Sequence, residues 1–173
     1  DILKYKILTD SIVDDIKTYP PRAVSIIDYF NEYKIPEMPS SIIKACIDSI
    51  GKDYFFLKTL SALRRRPEYK HIIENPRLSK MIKKQLKSHD DMLSLNTQDF
   101  RLFFSIPKLK KDRRVLDIIV RKLEETMMKM RKFPDIIPHN YLNLYYFVTD
   151  EYPELLEDSK VRRAVDRFNS MIT

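Results

Sequence analysis

Glycine is almost missing from this chain of 173 residues, in which Gly51 stands alone. Glycine is the usual residue for left-handed turns and sheet bulges, and glycine-rich loops cradle the phosphates of bound nucleotides. A large β-structure and a phosphate-cradling loop are therefore both disfavoured. The scarcity of glycine indicates a protein built from helices.

Cysteine is equally scarce, because Cys46 is alone and no intramolecular disulfide can form. A reducing compartment is favoured for such a chain. Cys46 lies inside the apolar pattern "SSIIKACIDSI". We therefore expect it to be a buried structural thiol rather than a reactive one.

Long apolar runs are also missing. No run approaches the roughly 18 residues that a transmembrane helix requires, and 43% apolar with 33% charged residues is typical of a soluble globular protein. The chain starts at Asp1 with neither Met nor a secretory signal. This is expected of a fragment, or of a mature form whose leader has been removed, and it leaves an organelle matrix open.

The sequence does contain many apolar residues at helical spacing, in stretches separated mostly by its ten prolines. Pro107 must kink or end the helix that contains it, and Thr97 is the expected N-cap of that helix. Asp158 or Ser159 is expected to cap the last helix, and the connection at 64–76 has room for a further helical turn. The predicted helices span residues 7–19, 21–33, 39–50, 54–65, 77–87, 97–109, 113–132, 138–148 and 158–171.

The first helices of four successive pairs share one apolar outline. The four helices can be aligned on their first residues, which are Arg22, Asp53, Asp99 and Asn140. Apolar residues then follow about one, four, five, seven and eight positions after each first residue, with gaps in the second and third helices. The starts lie 31, 46 and 41 residues apart. A two-helix repeat of this length is typical of an α-solenoid, whose units bury their apolar faces by stacking on neighbours.

We therefore predict an all-α fold, a right-handed or irregular α-solenoid of about four helical hairpins in a single domain that spans residues 1–173. The aromatic run "NYLNLYYFV" is then a core stripe rather than a set of ligand-binding rings. The hairpins are predicted at about residues 21–50, 53–88, 97–132 and 138–172, after a helix at 7–19.

The outline is carried by "RAVSIIDYFNEY", by "DFRLFFSIPKL" with "VLDIIVRKL", and by "NYLNLYYFV" with "VRRAVDRF". It resembles the organellar helical-repeat proteins, namely the octotricopeptide, heptatricopeptide and FAST-kinase-like repeats that often accompany an RAP domain. The resemblance spans most of residues 20–172. The sequence departs from the repeat pattern at Lys58 and Pro107, and no RAP domain follows within the chain. It implies a mitochondrial or plastid protein without a cofactor, which binds organellar RNA or belongs to a ribonucleoprotein such as the organellar ribosome.

Positive charge is concentrated in the middle of the chain. Residues 1–50 hold six basic and eight acidic residues, residues 52–132 hold 22 and ten, and residues 133–173 hold four and seven. Basic clusters neutralise phosphates and release counterions, which produces salt-sensitive affinity for nucleic acid. The predicted nucleic-acid-binding residues are Arg64, Arg65, Arg66, Lys70, Arg77, Lys80, Lys83, Lys84, Lys87, Lys108, Lys110, Lys111, Arg113 and Arg114.

Folded or single-stranded RNA is the preferred partner, because a curved stack of hairpins suits irregular RNA and no helix-turn-helix or zinc ligand set is visible. The rings of Tyr5, Tyr54, Phe55, Phe56 and Tyr69 would stack on bases if they were exposed, although such rings more often lie in a core. An acidic protein surface or anionic lipid headgroups are the main alternative partners for the basic block. Lysine-rich helix faces are also common as plain solvated surface.

An active site is not visible in the sequence. His71, His89 and His139 are each isolated from cysteine and from spaced carboxylate pairs, whereas catalysis needs a convergent set of groups. We therefore expect no enzyme, no metal, no cofactor and no small-molecule substrate.

These observations predict a non-enzymatic helical-repeat component of a mitochondrial ribonucleoprotein in the matrix, in the first place the mitochondrial ribosome. Its partners would be organellar rRNA and neighbouring proteins of a large assembly. The alternative is a protein-only scaffold subunit of a mitochondrial respiratory or ATP-synthase complex. A helical domain of a larger enzyme is a third hypothesis.

Overall fold

The computed structural model describes residues 2–89, 95–133 and 139–172. Within these ranges the chain forms ten α-helices and no β-strand, so the predicted all-α class is confirmed. The helices are α1 (Ile2–Thr18), α2 (Arg22–Glu32), α3 (Ser40–Ile50), α4 (Phe56–Arg64), α5 (Tyr69–Ile72), α6 (Pro76–His89), α7 (Thr97–Phe104), α8 (Arg113–Lys132), α9 (His139–Tyr146) and α10 (Ser159–Ile172).

Most predicted helices lie within a few residues of the observed ones. The largest differences are five residues each. Helix α1 begins at Ile2 instead of residue 7, and α7 ends at Phe104 instead of residue 109. The side chains of residues 3–8 are all exposed, so this part of α1 has no buried face, although Tyr5 and Leu8 continue the apolar spacing of the helix toward its amino end. The connection before α6 does contain a further helical turn, which is α5, whereas the predicted start at Pro138 lies outside the described residues.

Pro107 ends its helix as predicted. Helix α7 stops at Phe104, and Pro107–Leu109 form a 3-10 turn, because proline lacks the backbone N–H that would continue the helical hydrogen bonds.

The cap of α7 differs from the prediction by one residue. Asn96, not Thr97, accepts hydrogen bonds at its Oδ1 from the backbone N–H groups of Gln98 (2.8 Å) and Asp99 (3.2 Å). Asp99 accepts the backbone N–H of Asn96 at 2.8 Å in return, which is the reciprocal arrangement of a capping box.

The cap of α10 is Asp158, one of the two residues predicted for it. Its Oδ1 accepts the backbone N–H groups of Lys160 (3.0 Å) and Val161 (3.1 Å). This carboxylate satisfies two of the donors that a helix amino terminus leaves unpaired.

The chain divides into two compact units. Unit 1 holds residues 1–93 and 102–110, and unit 2 holds residues 94–101 and 111–173. Two of the three divisions fall inside α7 and just before α8, within the third predicted hairpin, and the first falls between residues 93 and 94. The single domain and the solenoid stay predictions.

The contacts between helices in unit 1 are compatible with stacked hairpins. The first helices α2 and α4 contact each other, and the second helix α3 contacts α1 and α6. Gly51, at the end of α3, has a φ of −76°, so it does not need the left-handed conformation. A Cβ at this position would instead meet the sulfur of Met81 in α6, which lies near the end of a flexible side chain and would have to shift.

Unit 2 is centred on the packing of α8 against α10, with α9 also in contact with α8. The rings of Phe100 and Phe147 lie 6.1 Å apart, and the ring of Tyr145 stacks on Phe168 at 5.1 Å. The Tyr145 hydroxyl donates a hydrogen bond to Asn169 at 2.6 Å. Phe147 is fully buried, so this ring of the aromatic run contributes to the core.

One buried arginine links two connections of unit 1. Arg66 is 4% exposed, and its guanidinium donates hydrogen bonds to the carbonyls of Phe30 (3.1 Å) and Ile35 (2.9 Å) and to both carboxylate oxygens of Glu68 (3.0 and 3.1 Å). Glu68 also accepts the backbone N–H of Met38 at 2.6 Å. The pair thus holds the connection after α2 against the connection after α4.

Replacing Arg66 with alanine is expected to lower the free energy of unfolding by about 3–5 kcal/mol, because the partly buried Glu68 carboxylate and the carbonyls of Phe30 and Ile35 lose their donor. Urea unfolding measures the change. The control is Arg65→Ala, since Arg65 is 61% exposed and pairs with the exposed Asp28, where a loss below about 1 kcal/mol is expected. Equal small losses for both variants would contradict the role of Arg66.

The Glu68 carboxylate makes part of this stability depend on pH. Partial burial tends to raise the pKa of Glu68, but hydrogen bonds from Arg66 and from the Met38 amide outweigh it, and the pKa is lowered. Such a group stabilises the fold above its unfolded pKa and loses that contribution as the pH falls through the folded pKa. The destabilisation caused by Glu68→Gln, measured by urea unfolding, should therefore shrink in acid. A difference that stays constant with pH would refute this.

Candidate nucleic-acid interface

Helix α6 has one apolar face and one basic face. Leu78, Ile82 and Leu86 are fully buried at intervals of four residues. The exposed side chains of Lys80, Lys84 and Lys87 lie on the opposite side of the helix, and we call these three residues the α6 basic face. They extend over about 10 Å of the helix axis.

Negative charge is absent from α6 itself, which holds five lysines and arginines but no aspartate or glutamate. Across the part of the chain that the structure describes, no salt bridge joins a carboxylate to any member of the α6 basic face. Lys83, next to this face, is half-buried and interacts within the protein. The α6 basic face is therefore a local excess of positive charge.

Several other predicted residues have protein partners. Arg66 is buried and forms a salt bridge with Glu68, so its guanidinium is not accessible to a phosphate. Among the exposed ones, Arg65 pairs with Asp28 at 2.5 Å, Arg77 pairs with Asp48, and Lys111 lies 3.7 Å from Glu157.

Arg113 is exposed and pairs with two carboxylates. It donates hydrogen bonds to Asp117 on its own helix and to Asp158, at 2.6 Å, before α10. The hydrogen bond from Arg113 lowers the pKa of Asp117, which keeps this carboxylate charged. The predicted cluster around residues 108–114 is thus partly neutralised.

The remaining predicted residues lie on the surface or at its edge. Arg64, Lys70 and Lys108 are exposed, and the 3-10 turn that carries Lys108 packs against α6. Lys110 is exposed and interacts within the protein, and Arg114 is half-buried. Lys108 therefore lies on an element that packs against α6.

The two units differ in charge. Unit 1 holds 19 basic and 13 acidic residues, a net charge of +6, and unit 2 holds 13 and 12, a net charge of +1. The net charge of the chain is therefore almost entirely that of unit 1.

Helix α10 shows why spacing alone does not identify an exposed basic face. Lys160, Arg163 and Arg167 repeat the spacing of basic residues in α6, but Lys160 lies 3.4 Å from Asp117 and Arg167 lies 3.3 Å from Glu124, both on α8. None of the three was among the predicted nucleic-acid-binding residues, and Lys160 and Arg167 are paired with carboxylates of α8.

The aromatic residues considered for base stacking are divided between core and surface. Phe56 is fully buried, and Tyr69 is half-buried with its hydroxyl 2.5 Å from the Ser105 hydroxyl. Tyr5, Tyr54 and Phe55 are exposed. Exposure alone does not assign them to RNA.

An apolar groove in unit 1 escaped the sequence analysis. It lies between α1 and α2, has a volume of about 590 Å³, and is lined by Tyr5, Leu8 and Ile12 on one side and by Ile26 and Tyr29 on the other. The sequence did contain a signal for the apolar face of α1 that lines this groove, because Tyr5 and Leu8 continue the helical spacing of Ile12 toward the amino end.

Other kinds of site find little support in the described ranges. Among these residues, no group of three or more His, Cys, Asp or Glu side chains is placed to hold a metal ion. No helix there has both the length and the apolar character needed to cross a membrane.

Comparison of the chain with protein-family models, with curated proteins and with solved structures finds no match. The resemblance to organellar helical repeats therefore remains a hypothesis that rests on the sequence pattern.

Cys46 is fully buried in α3, as predicted. Burial raises the pKa of its thiol to about 12, so the reactive thiolate should be scarce at pH 8. A disulfide reagent such as dithiobisnitrobenzoate is therefore expected to label Cys46 in denaturant but very slowly in the folded protein. Fast labelling without unfolding would contradict this burial.

Proposed function

We propose that this protein is a non-enzymatic helical-repeat component of a mitochondrial ribonucleoprotein in the matrix, in the first place the mitochondrial ribosome, and that it contacts RNA phosphates through the α6 basic face. The observation that carries the proposal is the local excess of positive charge on α6. It supports a partner with many negative charges, and an RNA backbone is such a partner.

Lysine is suited to this contact. Its ammonium group is a compact charge on a flexible stem, so it binds phosphates without reading the base. The predicted affinity is therefore independent of sequence and falls steeply with salt. Lys108, next to α6, and the exposed Arg64 and Lys70 extend the proposed contact beyond the α6 basic face.

The mitochondrial setting is supported by the resemblance to organellar repeats and by the single buried cysteine. The reducing environment inside the matrix is compatible with a lone thiol. Sedimentation of a tagged protein with mitochondrial ribosomal particles, lost after ribonuclease treatment, tests this part of the proposal. A tagged protein found outside mitochondria would refute the mitochondrial location but would leave the proposed RNA contact unaffected.

The triple variant Lys80→Gln/Lys84→Gln/Lys87→Gln is expected to bind single-stranded RNA about tenfold or more weakly. Its plot of log affinity against log salt should be shallower by about 2, because three phosphate contacts are lost at about 0.7 each. Fluorescence anisotropy with a labelled RNA over a series of salt concentrations measures both quantities. Circular dichroism confirms that helicity is retained.

A matched control is Lys6→Gln/Lys17→Gln/Lys52→Gln, which removes the same charge from exposed sites of unit 1 outside α6. The proposal expects a much smaller effect on affinity and on the salt slope. Equal effects in both triple variants would show that net charge alone attracts RNA. Unchanged binding in the α6 variant would remove the proposed interface.

The second candidate function is a protein-only scaffold in a mitochondrial respiratory or ATP-synthase complex. It is favoured by the exposed apolar groove between α1 and α2, because such surface commonly marks protein interfaces. Nucleic acid that copurifies with the protein, seen as absorbance at 260 nm and removed by nuclease, distinguishes the two functions.

A further inference from the structure

The groove between α1 and α2 lies in the most apolar part of the surface. Of the 13 large apolar side chains that are exposed in the described ranges, seven belong to residues 3–33. Three of the seven, Tyr5, Leu8 and Tyr29, line the groove and are 61%, 62% and 54% exposed. A concentration of this kind marks an interaction site.

The helices around the groove leave a place for one more helix. Helix α4 packs against α3 and α2. A helix laid in the groove would contact α1 and α2 in the same manner, and it would extend the layer of first helices by one member. By this analogy with α4, the expected occupant of the groove is an amphipathic helix.

Charges on α1 indicate which helix this is. Lys4 and Asp15 are both exposed, and because eleven residues make almost three whole turns, they lie on the same side of α1 about 16 Å apart. Two antiparallel copies of α1 would bring each Lys4 to the Asp15 of the other copy. Opposite charges would then meet at both ends of the contact, whereas a parallel pair would oppose like charges.

The existing partner of Asp15 leaves room for this contact. Arg22 lies 3.8 Å from Asp15, and both side chains are more than half exposed. An exposed pair at this distance is weak. The carboxylate can therefore accept a second cation.

We propose that α1 of a second copy of this chain occupies the groove, in a symmetric dimer whose two α1 helices run antiparallel. Tyr5, Leu8 and Ile12 of each copy cover those of the other, and Lys4 of each copy meets the partner's Asp15. The same surface patch serves both copies, which is the usual arrangement in a twofold dimer. The dimer would account for the exposed groove without a further partner.

A charge exchange tests the antiparallel pairing. Lys4→Glu and Asp15→Lys each place like charges together at both ends of the contact, so each variant alone is expected to dimerise about tenfold to a hundredfold more weakly than the natural chain. An equal mixture of the two variants should dimerise again. In the mixed dimer, the carboxylate introduced at position 4 meets the ammonium introduced at position 15, and the unchanged Lys4 meets the unchanged Asp15. Sedimentation equilibrium over a range of protein concentrations measures the association.

The matched control for charge is Asp10→Lys. Asp10 is exposed on the same helix but lies about 160° around it from Leu8, away from the groove. This variant is expected to dimerise like the natural chain.

The apolar part of the contact has its own matched pair. Leu8→Asp should abolish the dimer, whereas Leu3→Asp should leave it intact. Leu3 and Leu8 are 70% and 62% exposed, but Leu3 lies about 140° around α1 from Leu8, and only Leu8 lines the groove. Circular dichroism shows whether each variant is folded.

Several results would overturn the dimer. These are a natural chain that stays monomeric at all concentrations, equal behaviour of the Leu3 and Leu8 variants, and a mixture of charge variants that stays monomeric. A monomer that binds another protein through the groove also overturns it. None of these residues belongs to the α6 basic face, so failure of the dimer and failure of RNA binding are separate results.

Discussion

Burial of one side of α6 is the constraint on which the proposed interface depends. Leu78, Ile82 and Leu86 are buried completely, and this rotation of the helix turns Lys80, Lys84 and Lys87 outward. Removing a charged ammonium group from water without a partner is very costly, so the opposite rotation would be strongly disfavoured. The apolar spacing of α6 therefore determines where its charge is displayed.

Arg66 is a basic residue with a structural role, in contrast to the exposed lysines of α6. Although it follows two exposed arginines in the sequence, its guanidinium is surrounded by the carbonyls of Phe30 and Ile35 and by Glu68. Planar geometry and five N–H donors suit arginine to such a buried cluster. A basic cluster in a sequence can thus combine a structural residue with residues that face solvent.

Ion pairs in both units hold some of the basic residues. In unit 2, Asp117 lies next to both Arg113 and Lys160, and Glu124 lies next to Arg167. In unit 1, Arg65 and Arg77 are paired with Asp28 and Asp48, but α6 carries no acidic residue and its Lys80, Lys84 and Lys87 remain exposed. The central basic block of the sequence therefore divides into a part that helps to hold helices together and a part that is left for a partner.

The sequence by itself determined the all-α class, the position of most helices and the total charge of the central block, because helical spacing, proline positions and composition are local properties. Tertiary structure decided which basic side chains are left without a carboxylate partner and can contact another molecule. The carboxylates that pair with Arg65 and Arg77 lie 37 and 29 residues away in the chain, and one of the two that pair with Arg113 lies 45 residues away. No local pattern records such distant neighbours. The groove between α1 and α2 was decided in the same way, because the spacing of apolar residues cannot tell a buried face from one that packing leaves exposed.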